Sequence, residues 1–127
     1  MKTLFYVSRN SATSFMVCNQ LAKNFEVHPF EGVEACMEAI KPLKQSRDEH
    51  PDVIIFDYED SDTLNVKELR EVYQSAEDSN LLLLLPSSSQ NLLFDVIREG
   101  IVNYIVKKGD YPTQLTAHLL SDKIMAV

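Results

Sequence analysis

His50-Pro51-Asp52-Val53-Ile54-Ile55-Phe56-Asp57-Tyr58-Glu59-Asp60 is the stretch whose reading decides the fold. A proline-marked start, a short run of Val, Ile and Phe, and an abrupt change to acid describe a strand buried on both faces. Such a strand belongs to a parallel sheet and need not alternate polar with apolar. Asp57 then stands at the carboxyl end of a central strand, the edge of an open α/β sheet where ligands and chemistry collect. A carboxylate in that position can act as a nucleophile toward phosphate, as a metal ligand or as one arm of an ion pair.

Outward from this strand the chain repeats one pattern. On the amino-terminal side, Lys2 to Val7 reads as a first strand, and Ser8-Arg9-Asn10-Ser11 as the turn into a helix capped by Asn10 or Ser11. Phe15, Cys18, Leu21 and Ala22 recur at helical spacing, which predicts a helix over about 11–23 with these residues on its apolar face. Phe25 to Phe30 is a short alternating strand. Pro29 puts it at a sheet edge, because proline cannot donate to a ladder. Val33, Cys36, Met37, Ile40 and Leu43 give a second helix whose regular part Pro42 kinks or ends, and Lys44 to His50 is a charged connector.

On the carboxyl-terminal side, Leu64, Val66, Leu69, Val72, Tyr73 and Ala76 mark a third helix. Leu81 to Leu85 is an all-leucine fourth strand, so placed by its length between turn signals. Pro86-Ser87-Ser88-Ser89 turns into a fourth helix through Leu92, Leu93, Val96 and Ile97, with Gly100 as its stop. Ile101 to Val106 is a fifth strand. Pro112 opens a last helix through Leu115, Leu119, Leu120 and Ile124. Strand and helix alternate five times with short connections, which predicts an α/β, doubly wound, five-stranded parallel sheet with helices on both faces. The 127 residues make a single domain, 1–127.

Composition removes several classes of function. Hydrophobic residues at 45% and charged residues at 24% are those of an ordinary soluble globular chain. The longest apolar run, Leu81 to Leu85, is far too short for a membrane span, and the N-terminus lacks a signal-peptide pattern, so the expected location is cytoplasmic. A net charge of −7 argues against nucleic-acid binding. Cys18 and Cys36 have no metal-ligand spacing and read as thiols in a reducing compartment. His28, His50 and His118 are scattered, and Glu59, Asp60 and Asp62 lack the spacing and glycine of a calcium loop.

Asp57 ending the third strand and Lys107 ending the fifth, 50 positions later, resemble the response-regulator receiver domain (CheY-like) of two-component signalling over essentially the whole chain. Asp-Val-Ile-Ile-Phe-Asp at 52–57 resembles that family's phospho-acceptor strand. Gly100-Ile101-Val102-Asn103-Tyr104-Ile105-Val106-Lys107 resembles its Gly-Ala-x-x-Tyr-(hydrophobic)-(hydrophobic)-Lys segment. The resemblance implies that Asp57 accepts phosphate from a histidine kinase, that Lys107 pairs with it, and that Tyr104 reports activation at a docking surface. It also exposes departures. Where the family has two Mg²⁺-binding acids stand Ser8 and Arg9, which leaves Asp57 and the carbonyl of Glu59 as weak metal candidates. Leu85 occupies the place of a hydroxyl-bearing Thr or Ser, and Lys108 that of a proline usually preceded by a cis bond.

Two accounts of Asp57 follow: a phospho-acceptor, or an ion pair with Lys107 and Arg9 in which a guanidinium sits where metal would otherwise be. The expected function is that of a stand-alone pseudo-receiver: no enzyme and no cofactor, docking on an unidentified signalling protein or dimerising through the Tyr104 face. With the chain ending soon after the last expected helix, no attached output domain is expected. One alternative is a working Mg²⁺-dependent receiver phosphorylated on Asp57. Another is a flavodoxin-like small-ligand binder, opposed by the lack of a Gly-rich loop after the first strand.

Overall fold

The computed structural model describes residues 1–45, 50–58, 66–76, 79–86, 98, 100, 104–107 and 113–126. Strands β1 (Thr3–Ser8), β2 (Glu26–Phe30), β3 (Val53–Asp57), β4 (Asn80–Pro86) and β5 (Tyr104–Lys107) form one sheet in the order β2-β1-β3-β4-β5. Every neighbouring pair is parallel. The two middle strands are the most apolar, and all of Val53–Asp57 and Leu81–Leu85 is buried. Burying a Leu, Ile or Phe side chain contributes about 1.5–3 kcal/mol over leaving it exposed, which is why these runs take the centre. Strand β2, with Pro29 inside it and most of its side chains in or near solvent, takes an edge as its sequence requires.

Helices α1 (Ser11–Leu21), α2 (Val33–Ile40), α3 (Val66–Ser75) and α4 (Thr113–Ala126) cover both faces. Leu4, Tyr6, Val53, Ile55, Leu82 and Leu84 point to one layer, where they meet Val17 and Leu21 of α1 and Leu120 and Ile124 of α4. Phe5, Val7, Ile54, Phe56, Leu83 and Leu85 point to the other, against Cys36 and Ile40 of α2 and Leu69 and Val72 of α3. Period-two alternation along each strand makes this division, and the reversal of winding between β2 and β3 puts α1 on the opposite face from α2 and α3. The chain therefore has the doubly wound α/β architecture that its alternating pattern predicts.

Several local expectations hold. Asn10 caps α1: its side-chain oxygen accepts from Thr13 N–H at 3.1 Å. Regular α2 stops at Ile40, and Pro42 lies in a 3₁₀ turn over Lys41–Gln45. Gly100 adopts φ +86°, a conformation open to glycine at little cost and typical just past a helix end. Cys18 and Cys36 are free and pack against opposite layers.

The expected apolar face of α1 requires correction. Ser14, Val17 and Leu21 are the buried residues, while Phe15 is 70% exposed and Ala22 is also in solvent. The buried stripe Ser14, Val17 and Leu21 runs one residue out of phase with Phe15, Cys18 and Ala22. The fourth helix expected through residues 92–97, and the Lys107–Lys108 bond, lie outside the described residues.

Candidate functional site at the carboxyl edge of the sheet

Asp57 ends β3 in register with Ser8 at the end of β1 and with Leu84 of β4. The residue is only 5% exposed. Tyr6, fully buried two positions before Ser8 on the same face of β1, donates its hydroxyl to Asp57 Oδ2. A buried carboxylate needs such donors, since leaving one without them is costly. This tyrosine was not singled out from the sequence, where it reads as core. The adjacency of β1 and β3, combined with alternation through 4, 6, 8 and 53, 55, 57, is the signal that finds it.

The turn after β1 is held by its own polar groups. Ser8 Oγ accepts from Asn10 N–H at 3.2 Å and donates to Asn10 O at 3.5 Å, so this buried hydroxyl is committed to the turn. The Asn10 carbonyl also accepts from Ser14 N–H at 3.0 Å as α1 begins. Arg9 is exposed, and among the described residues no ion pair joins it to Asp57. The expected Arg9–Asp57 pair is therefore corrected: the buried carboxylate is met by a phenol from its own layer, while Arg9 leaves the strand toward solvent. Its charge is felt instead at Tyr58.

Tyr58, the residue after Asp57, points to the opposite layer and stacks on Phe56 with ring centroids 6.2 Å apart. It is 7% exposed, and among the described residues its hydroxyl has no hydrogen-bond partner. Burial pushes the phenol well above its ordinary range, Glu68 pushes it the same way, and Arg9 opposes both. A pocket of about 450 Å³ opens here. It is lined by Ser8–Ser11 of the first turn, Gly32 and Val33 at the start of α2, Phe56–Tyr58 of β3, and Glu68 of α3. This is the crevice between β1 and β3 where the winding reverses, the usual ligand position in sheets of this order.

Leu85 does not join Asp57. It packs with Phe56 and Tyr58 in the other layer, and Leu84 is the β4 residue on the carboxylate's face. A gapless count along the sequence gives no strand parity, hence this correction. Lys107 ends β5 at the same edge, in register with Pro86, and Tyr104 begins β5 opposite Leu83. The side chains of Lys107 and Tyr104, and Glu59 as a whole, lie outside the described residues.

Mg²⁺, the metal the resemblance implies, takes near-octahedral oxygen ligation at roughly 2.0–2.1 Å and usually one or two carboxylates. Two carboxylates line the described pocket: Asp57, with an oxygen engaged by Tyr6 beside a serine hydroxyl directed to Asn10, and Glu68 from α3, on the side of Tyr58. No cluster of three or more His, Cys, Asp or Glu side chains converges among the described residues. This donor set does not fit Mg²⁺. Nor, among them, is any helix long and apolar enough to cross a membrane.

Comparison with known proteins places the fold. No protein-family model matches the chain, and no curated protein matches it in sequence. Solved structures do match. A CheY-like response regulator receiver domain protein from Methanospirillum hungatei superposes with TM-score 0.74 at 14% identity, over 99% of this chain and 95% of that one. A response regulator from Thermotoga maritima gives 0.71 at 19% identity, over 98% of each chain. A Rhodopirellula baltica structure described as an adenylate cyclase gives 0.75 at 15% identity, over 98% of this chain and 87% of that one. The class of protein defined here is thus one with the receiver fold, and identities this low carry the likeness no further than fold.

Proposed function

We propose that this chain is a receiver-like signalling module that works by docking on another protein and does not use ordinary Mg²⁺-dependent phosphorylation of Asp57. The observation that carries the reading is the bond from Tyr6 to Asp57. It commits an oxygen of Asp57, the carboxylate at the end of β3, at an edge where Ser8 and Arg9 stand in place of the metal-binding acids. A phosphoryl group in transfer needs its charge offset, and metal is the usual means. Without it, Asp57 serves as a buried anchor between β1 and β3, and signalling rests on binding surfaces. The Tyr104 face is the surface we assign to that docking, to a signalling protein or to a second copy of the chain.

A phosphorylated receiver remains the second reading, favoured by the burial of Asp57 at the carboxyl edge and by Lys107 ending β5 at that same edge. Incubation with acetyl phosphate and Mg²⁺, followed by intact-mass measurement, separates the two. We expect no phosphoryl adduct. An adduct lost in Asp57→Asn would establish the second reading and remove the first.

A further inference from the structure

We propose that the groove between α1 and the carboxyl end of edge strand β2 docks a protein segment that presents one large apolar side chain flanked by Lys or Arg. This adds to the docking reading a second surface, at the opposite edge of the sheet from Tyr104 of β5, and it holds whether or not Asp57 is phosphorylated. Phe15 of α1, with Pro29 and Phe30 of β2, borders a cavity of about 310 Å³. A lone exposed phenylalanine would mean little. Here Phe15, 70% exposed, stands with the exposed Pro29 and the half-buried Phe30 around one opening with room for a single large side chain. Two serine hydroxyls of the wall are already engaged. Ser8 bonds the backbone of Asn10, and Ser14 Oγ lies 3.8 Å from Cys18 Sγ. The groove therefore suits an apolar anchor better than a hydrogen-bonding one.

The edge itself decides what carries that anchor. Glu26 N–H donates to the carbonyl of Lys2 at 3.0 Å, so strand alternation turns the backbone groups of Glu26, His28 and Phe30 toward β1. Those of Val27 and Pro29 face outward. Pro29 has no N–H, so an added strand would meet a broken ladder, and the partner must be held by side chains. Charge then selects among partners. Residues 24–40 include Glu26, Glu31, Glu34 and Glu38, all exposed, and no Lys or Arg. Glu31 lines the groove, and among the described residues neither it nor Glu34 has an ionic partner. Arg9 lines the neighbouring pocket instead, and Lys23, beyond the far end of α1, donates to Gln20. A second copy of this chain, at net charge −7, would bring acid to acid, as would nucleic acid or an anionic membrane. A basic segment with an apolar anchor satisfies both the groove and its rim.

The test is a ¹H–¹⁵N NMR titration of the full chain with short synthetic peptides, each carrying a central Leu, Ile, Phe or Trp between Lys and Arg residues. Control peptides replace the central residue by Ser or the flanks by Glu. We expect at least one basic, apolar peptide to give saturable shifts at Ser11, Phe15, Phe30 and Glu31 that weaken with added salt. Phe15→Ala, a change at an exposed position, should weaken that binding about tenfold or more. Glu31→Lys should weaken it about threefold or more. No saturable shift from any basic, apolar peptide up to about 10 mM, where even a millimolar site would be mostly filled, would overturn the proposal. So would an equal response to either control, or binding indifferent to Phe15→Ala. Shifts at the same residues on raising the protein concentration alone, lost in Phe15→Ala, would give the groove to a second copy and likewise overturn it. Peptide shifts confined to Tyr104 and its neighbours would remove this site while supporting docking at the other edge, so the two surfaces fail separately.

Discussion

Tyr6 and Tyr58 are two buried tyrosines at one edge of the sheet, on opposite faces, and the fold treats their hydroxyls differently. Tyr6, from β1, donates to Asp57, so phenol and carboxylate solve each other's burial problem. Tyr58, next to that carboxylate in sequence, stacks on Phe56 and borders a pocket with its hydroxyl unmatched among the described residues. A paired buried polar group explains itself as structure. An unpaired one costs stability and is tolerated where something else is gained. The layer of Tyr6 is thus the anchored one, and the layer of Tyr58 keeps a buried hydroxyl unmatched among the described residues.

Substitutions can break or sharpen that contrast. The largest effect is expected from Phe56→Ala, which removes the ring under Tyr58 and opens a cavity in the α2–α3 layer. Urea unfolding should show a loss of about 3–5 kcal/mol. Tyr6→Phe comes next. It keeps the ring but strips a donor from a buried carboxylate, and the same measurement should show about 1–3 kcal/mol lost. Tyr58→Phe deletes a hydroxyl that bonds nothing described and should fall within about 1 kcal/mol of neutral, on the stabilising side. Equal losses from the two Tyr→Phe changes would erase the distinction between the layers.

The smallest effect near neutrality concerns alkaline pH. Burial holds the Tyr58 phenol above its ordinary 10.0 and lifts the Cys36 thiol from 9.0 to about 12. Both groups keep their protons longer folded than unfolded. Stability from this source is therefore complete below pH 9 and falls as pH rises through the folded values. Unfolding free energy should be flat from pH 7 to 9 and decline beyond, with a shallower decline above pH 10 in Tyr58→Phe.

Much of the scaffold was legible in the chain. The Asp57 strand, the edge placement of β2, the stop at Pro42 and the left-handed Gly100 each follow from local chemistry that the tertiary structure has no reason to override. What escaped depends on parity and phase. Phe15 looked like core, yet α1 turns Ser14, Val17 and Leu21 inward and leaves the phenylalanine in solvent. Leu85 looked like a neighbour of Asp57 by counting, whereas the register gives that place to Leu84. Arg9 looked like the partner of the carboxylate because a cation there is chemically reasonable. The nearer solution was a tyrosine two residues upstream of Ser8, visible only once β1 and β3 are known to be adjacent.

The most direct test of the central claim is a titration of the purified protein with Mg²⁺ and then with Mg²⁺ plus beryllofluoride, following backbone amides by NMR. We expect Asp57, Leu84 and Tyr104 to stay in place through both steps, because the described site lacks the oxygen ligands Mg²⁺ requires and Tyr6 already engages the carboxylate. Saturable shifts spreading from Asp57 to Tyr104 would contradict the account and restore Asp57 as a phosphorylation switch.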